Sequence, residues 1–123
     1  MKVLIIEDIV YRQNYLKDLI EMEEVDCVQR ADDGLELLAK NNYDLVLLDH
    51  DLIGAKSGSY LTMNWAQQSK VLKTEKPLVI IHSMNMVGSD KMERHLKGIA
   101  RRIERVPFRL IVEGKVDLKE IIG

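Results

Sequence analysis

The stretch KVLIIED at residues 2–8 decides the fold of this chain. Residues 3–6 form a continuous apolar run of strand length, and the acidic residues Glu7 and Asp8 follow it directly. A strand that is apolar throughout is buried on both faces, which is typical of a parallel sheet covered by helices. The stretch therefore predicts a central strand whose carboxyl end leads into acidic side chains.

Two further runs have the same form. Leu45–Leu48 ends at Asp49, and Leu78–Ile81 ends at His82. Amphipathic stretches with helical spacing separate the runs, as Tyr15 and Leu19 illustrate in the first of them. We expect weaker strands over 25–29 and 103–106, a strand extension over 110–112, and helices over 11–22, 35–40, 60–72, 89–100 and 116–122.

The alternation of strands and helices with short connections predicts a single α/β domain over residues 1–123. We expect a three-layer sandwich with five parallel strands in the order 2-1-3-4-5. Right-handed crossovers place the carboxyl ends of all the strands at one edge of such a sheet, and ligands bind outside that edge.

The composition excludes several classes of protein. The chain has 123 residues with 18 basic and 20 acidic side chains, a balance that argues against a general nucleic-acid binder. Cys27 is the sole cysteine, so an intrachain disulfide is excluded. We expect a cytoplasmic protein, because no signal peptide and no apolar run of about 20 residues is seen.

Polar and ionisable side chains follow all three apolar runs. An ordinary interpretation is that strands must end in polar residues and that acids cap the next helix. That interpretation explains one or two of these residues, but not eight: Glu7, Asp8, Asp49, His50, Asp51, His82, Ser83 and Asn85. Clustered carboxylates repel, so they must either hold a proton or bind a cation, and oxygen ligands suit Mg²⁺ or Mn²⁺. Such a site favours chemistry on a phosphate group.

The chain resembles the receiver domains of response regulators, of the CheY type. The resemblance rests on KVLIIED at 2–8, ADDGLELL at 31–38, DLVLLD at 44–49 and KPLVII at 76–81. It implies that Glu7, Asp8 and Asp49 hold Mg²⁺ together with the backbone carbonyl of Asp51. It also implies that Asp49 is the phosphoryl acceptor of that family.

Two departures from the receiver pattern put the usual phosphorylation switch in doubt. His82 stands where receivers carry Ser or Thr, and Val106 stands where they carry a Lys before a proline. The missing Lys would pair with the phosphoryl group, a contact of about 4 kcal/mol at an effective dielectric of 20.

The segments DHDL at 49–52 and HSMN at 82–85, with Gly88, resemble a divergent receiver family proposed to process cyclic phosphates. This resemblance implies a metal-dependent phosphoesterase acting on a phosphorylated small molecule or an RNA end. In that interpretation Asp49, His50 and His82 are catalytic, and Ser83 and Asn85 hold phosphate oxygens. We expect the nearby carboxylates to raise the pKa of His82.

Other interpretations stay open at the level of sequence. Asp49 would accept phosphate from a histidine kinase if the chain is a signalling receiver. A pseudo-receiver would only bind a partner protein. Each histidine also fits a structural role on its own: His50 facing a helix, and His82 satisfying a buried carbonyl.

Overall fold

The computed structural model describes residues 1–21, 24–72 and 76–123, with the side chains of those ranges except at 70–72. Strands and helices alternate along the chain, as the sequence predicts. The elements are β1 (Lys2–Ile6), α1 (Val10–Ile20), β2 (Glu24–Val28), α2 (Ala31–Lys40), β3 (Leu45–Leu48), α3 (Gly58–Leu72), β4 (Leu78–Ile81), α4 (Met86–Leu96), β5 (Arg102–Arg105), α5 (Phe108–Val112) and α6 (Leu118–Ile122).

The five strands form one parallel sheet in the order β2-β1-β3-β4-β5, which confirms the predicted topology. Ile6 pairs with Leu48, and Leu48 pairs with Ile81, so the central strands end at the same level. The residues that follow these three strands therefore emerge side by side at the carboxyl edge of the sheet.

Alternate side chains of the strands fill two separate cores. Leu4 and Ile6 belong to the core under α2, α3 and α4, whereas Val3 and Ile5 belong to the core under α1, α5 and α6. This division follows from the two-residue period of a strand. It makes the sheet the middle layer of the sandwich and leaves its carboxyl edge open.

Several predicted boundaries are wrong. Helix α4 begins at Met86 rather than near residue 89, because the Asn85 side chain accepts a hydrogen bond from the Gly88 amide and caps it. Helix α2 begins at Ala31 rather than residue 35, and residues 110–112 form helix α5 instead of a strand. The short helix expected over 116–122 is confirmed over Leu118–Ile122.

The predicted helix over 11–22 is confirmed as far as Ile20, with Leu16 and Ile20 buried and Tyr11 exposed. Residue 22 lies outside the described residues. None of the helices described combines the length and the apolar character that a membrane crossing requires.

Candidate functional site

Glu7, Asp49 and His82 form the centre of the site. Each follows a central strand, and their backbone amides continue the sheet ladder to the carbonyls of Val28, Ile6 and Leu48, each at 3.0 Å. All three side chains are buried, and one ligand atom from each lies within 4.8 Å of the others. The structure thus brings together three of the residues that the sequence singles out.

The pKa values of both buried carboxyl groups, Glu7 and Asp49, are raised above their ordinary values. Burial raises the pKa of Glu7 to about 7, and the neighbouring Asp8 carboxyl adds to the shift. Burial also raises the pKa of Asp49 to about 6, against the opposing effect of His82. A bound cation would relieve this cost, so the carboxylate donor set fits a divalent metal ion.

A cleft of about 400 Å³ opens beside Asp49 at the carboxyl edge of the sheet. Of the predicted metal ligands, Asp8 and Asp51 line it with Asp49, whereas Glu7 is buried. The Glu7 carboxylate accepts a hydrogen bond from the Ile9 amide at 3.1 Å, which fixes its orientation. The lining residues are Asp8, Ile9, Arg12, Asp49, Asp51, Ser83, Met84 and Asn85.

His82 is fully buried and is not among the residues that line this cleft. Its Nε2 atom lies 3.2 Å from the Glu7 carboxylate, and its Nδ1 atom has no hydrogen-bond partner among the described residues. The expectation that nearby carboxylates raise its pKa is wrong. Burial outweighs the opposing effect of Asp49 and lowers the pKa of His82 to about 4.

His50 lies between the cleft and the start of α3. Its Nδ1 atom is 2.9 Å from the Asp51 carboxylate and its Nε2 atom is 2.9 Å from the Ser59 hydroxyl. The Asn85 amide nitrogen also approaches the Nδ1 atom, at 3.2 Å. His50 therefore contacts two residues that line the cleft, Asp51 and Asn85.

Gly88 makes room for the His50 ring. A Cβ atom at position 88 would lie 2.4 Å from the Cγ and Cδ2 atoms of that ring, closer than real side chains approach. Gly58 is similarly constrained, since a Cβ atom there would lie 2.4 Å from the Asp49 carbonyl oxygen. The sequence places both glycines near the site but does not indicate these contacts.

Ser83 and Asn85 line the same side of the cleft, in the connection from β4 to α4. The Ser83 hydroxyl accepts a hydrogen bond from the backbone N–H of Asn85 at 3.0 Å, which holds the connection in a tight turn. The side-chain oxygen Oδ1 of Asn85 accepts the hydrogen bond that caps α4, at 2.9 Å from the Gly88 nitrogen. The Ser83 hydroxyl proton stays available to a ligand oxygen.

Arg12 is a site residue that the sequence interpretation missed. It lies in the first turn of α1 and lines the cleft together with Ser83 and Asn85. The residue spacing gave no signal for it, because Asp8 precedes helix α1 and the position of Arg12 at the cleft depends on how that helix packs. Val106, where receivers carry a Lys, is buried in an apolar core.

A sequence model of the cyclic-phosphate processing receiver domain matches residues 3–98 of the chain. The chain belongs to this family. The match spans all of the site residues described above, from Glu7 to Gly88.

Solved structures of receiver domains have the same fold as this member of the cyclic-phosphate processing receiver family. A CheY-like receiver domain from Methanospirillum hungatei JF-1 has 20% identity and a TM-score of 0.64, covering 98% of this chain and 92% of that chain. The receiver domain of the histidine kinase CKI1 from Arabidopsis thaliana, solved complexed with Mg²⁺, has 15% identity and a TM-score of 0.71, covering 98% and 90%. No curated protein sequence matches the chain significantly.

Proposed function

We propose that this receiver domain binds Mg²⁺ or Mn²⁺ in its acidic cleft and processes a cyclic phosphate on a nucleotide or an RNA end. The observation that supports the proposal best is the convergence of Glu7, Asp49 and His82, with ligand atoms within 4.8 Å of one another beside the cleft. A purely structural domain has no need of two carboxyl groups whose pKa values are raised by burial.

The metal ligands that we propose are the carboxylates of Asp8 and Asp49 and the backbone carbonyl of Asp51, with Glu7 beside them. These groups supply oxygen atoms, which Mg²⁺ and Mn²⁺ prefer. A divalent ion bound there supplies Lewis-acid polarisation of a phosphate oxygen and a template for its orientation.

The chain's own residues then serve proton transfer and positioning. When water opens a cyclic phosphodiester, a P–O bond forms to water, a ring P–O bond breaks, water loses a proton and the leaving oxygen gains one. We propose Asp49, whose side chain lines the cleft, as the proton acceptor, through a carboxylate oxygen that the metal ion does not occupy. His50, whose Nδ1 atom lies 2.9 Å from the Asp51 carboxylate, is our candidate for donating a proton to the leaving oxygen, and proton exchange with solvent then restores both His50 and Asp49.

His82 acts through Glu7 in this proposal. Its side chain is fully buried and its Nε2 atom contacts the Glu7 carboxylate at 3.2 Å, so direct contact with a substrate would require the site to open. Ser83 and Asn85, which line the cleft, are the residues that we propose to bind phosphate oxygens.

The rim of the cleft favours an organic phosphate ester over inorganic phosphate. Ile9 and Met84 both line the cleft and are 43% and 50% exposed. Apolar side chains that line the cleft together with acidic ones suit a ligand that carries a nucleobase next to its phosphate.

Signalling through a phosphorylated Asp49 is supported less well. The buried, apolar Val106 offers no cation to a phosphoryl group on that residue. A partner protein that docks on the domain remains an expectation, compatible with either activity.

Turnover of a panel of cyclic nucleotides and RNA ends, with Mg²⁺ or Mn²⁺, tests the proposal. We expect the wild type to open at least one substrate, Asp49→Asn to abolish turnover, and the exposed control Asp33→Asn to retain it. His82→Ala, which removes the partner of the Glu7 carboxylate, should lower turnover less than Asp49→Asn does. Thermal melts of each variant separate this loss from unfolding. A wild type that turns over no member of the panel would refute the enzymatic proposal.

A further inference from the structure

Among the described residues that line the cleft, Arg12 is the one with a cationic side chain. Three of the other lining residues, Asp8, Asp49 and Asp51, are acidic. A divalent ion offsets only part of the negative charge of these three carboxylates, so a further cation beside the metal site favours the approach of a phosphate ester. Position 106, which supplies that cation in the receiver pattern, holds a buried valine here.

We propose that Arg12 binds the phosphate oxygens of the ligand in this cleft and supplies from α1 the positive charge that is missing after β5. The inference rests on the proposed function in one respect, namely that the ligand is a phosphate. It adds a binding residue from α1 to the two that we propose in the connection from β4 to α4, Ser83 and Asn85.

The Arg12 side chain is held in place by an aromatic ring. Its Cζ atom lies 4.8 Å from the centroid of the Phe108 ring, a distance at which a guanidinium is attracted to an aromatic face. The Phe108 ring is buried and packs edge-on against Tyr15 at 5.7 Å. The guanidinium is therefore oriented before a ligand binds, which lowers the entropic cost of binding.

The hydrogen-bond donors of Arg12 are not taken up by neighbouring side chains. Its closest ionic contact runs from Nη1 to the Glu7 Oε1 atom at 3.8 Å, beyond the 2.7–3.2 Å that is typical of an N–H···O hydrogen bond. Arg12 makes no hydrogen bond to any of the residues that the structure describes. Its side chain is 24% exposed, so the planar fork can reach a ligand while its stem stays packed.

A guanidinium is well suited to this task. It donates two parallel hydrogen bonds to a pair of phosphate oxygens, whereas an ammonium acts as a point charge. Arg12→Lys should therefore keep the positive charge that Arg12→Gln removes, but not the paired hydrogen bonds to two phosphate oxygens. This difference separates phosphate binding from a general electrostatic effect.

Titration with inorganic phosphate at saturating Mg²⁺, followed by NMR, tests the inference without depending on turnover. We expect Arg12→Gln to weaken phosphate binding by about 10- to 100-fold, the range that corresponds to the loss of about one hydrogen bond to a charged group. Arg12→Lys should give an intermediate affinity. Arg101→Gln, which removes the same charge from an exposed residue at the amino end of β5, should bind phosphate like the wild type.

Mg²⁺ affinity and thermal melting of the same variants serve as the second readout. Arg12→Gln should bind Mg²⁺ as the wild type does, or slightly more tightly. Equal weakening of metal and phosphate binding by Arg12→Gln would assign Arg12 a structural role and overturn the inference. Unchanged phosphate binding in Arg12→Gln or in Arg12→Lys would also overturn it, as would the absence of phosphate binding by the wild type. If Arg12-dependent binding is found but no cyclic phosphate is turned over, the proposed function fails and the assignment of Arg12 stands.

Discussion

The Nε2 atom of His82 lies 3.2 Å from the Oε1 atom of Glu7, and both side chains are fully buried. Burial raises the pKa of Glu7 to about 7 and lowers the pKa of His82 to about 4. Between about pH 4 and pH 7 the two groups therefore favour their uncharged forms, and a hydrogen bond joins them. At the carboxyl edge of the sheet, this neutral pair lies beside Asp49 and the cleft.

The metal-free protein should be stabilised by Glu7→Gln at high pH. The pKa of Glu7 is raised from 4.5 to about 7 on folding, so its contribution is fully present below about pH 4.5 and is lost as the pH rises through 7. Gln stays uncharged, and we expect it to raise the free energy of unfolding at pH 8 by on the order of 2 kcal/mol. Urea unfolding in the presence of EDTA measures this.

The gain from Glu7→Gln should shrink or vanish at pH 5, where Glu7 itself is protonated. His82 contributes in the opposite sense, since its lowered pKa means that stability is lost as the pH falls from about 6.5 towards 4. At pH 8 His82 is uncharged in both proteins, so the difference between them at that pH isolates Glu7. The exposed Glu24→Gln is the matched control. An equal effect at both pH values would contradict the expected ionisation of Glu7.

The sequence was sufficient to predict the sheet and the convergence of the strand-end residues, because both follow from a few uninterrupted apolar runs. It was less informative for β2, whose residues 25–28 are only partly buried and show no clear period. The start of α4 was misplaced because Asn85 and Ser89 are both good capping residues, and tertiary packing decides between them.

The surroundings of each site residue were harder to predict than its position. His82 was expected to be charged, but its burial under Phe108, at 6.5 Å between ring centroids, depends on how the chain after β5 packs. Arg12 was missed because its contact with the cleft depends on the orientation of α1. Neither property is encoded in the spacing of residues along the chain.

Divalent metal binding should depend on Asp49 and on pH. We expect Asp49→Asn to weaken Mg²⁺ or Mn²⁺ binding at least about tenfold, since even changes in outer-shell partners cost 10- to 100-fold in metal affinity. Affinity should increase from pH 5.5 to pH 8, because metal binding competes with the protons that the raised pKa values of Glu7 and Asp49 favour. Calorimetric titration at both pH values measures the two effects, with Asp33→Asn as the control. Undiminished binding in Asp49→Asn would place the metal elsewhere.

Small phosphodonors should not yield a long-lived phosphorylated Asp49. Val106 is 4% exposed and packs in an apolar core, so the position after β5 offers no hydrogen bond or charge to added phosphoryl oxygens, and among the described residues lining the cleft Arg12 alone would be left to pair with them. Intact-mass spectrometry after incubation with acetyl phosphate and Mg²⁺ is expected to detect only the unmodified chain. A stable adduct that is absent from Asp49→Asn would restore the signalling interpretation.

The contact between Gly88 and His50 should appear as a strong energetic coupling. A Cβ atom at position 88 would lie 2.4 Å from two atoms of the His50 ring, so Gly88→Ala should destabilise the wild type by about 1–3 kcal/mol, as overpacking does. Gly88 lies in the first turn of α4, where Ala is otherwise favoured over Gly by up to about 1 kcal/mol. In a His50→Ala background, where the ring is gone, the same change should therefore be neutral or stabilising. Urea unfolding of the four proteins of this double-mutant cycle measures the coupling, and an equal cost of Gly88→Ala in both backgrounds would show that the glycine is required for some other reason.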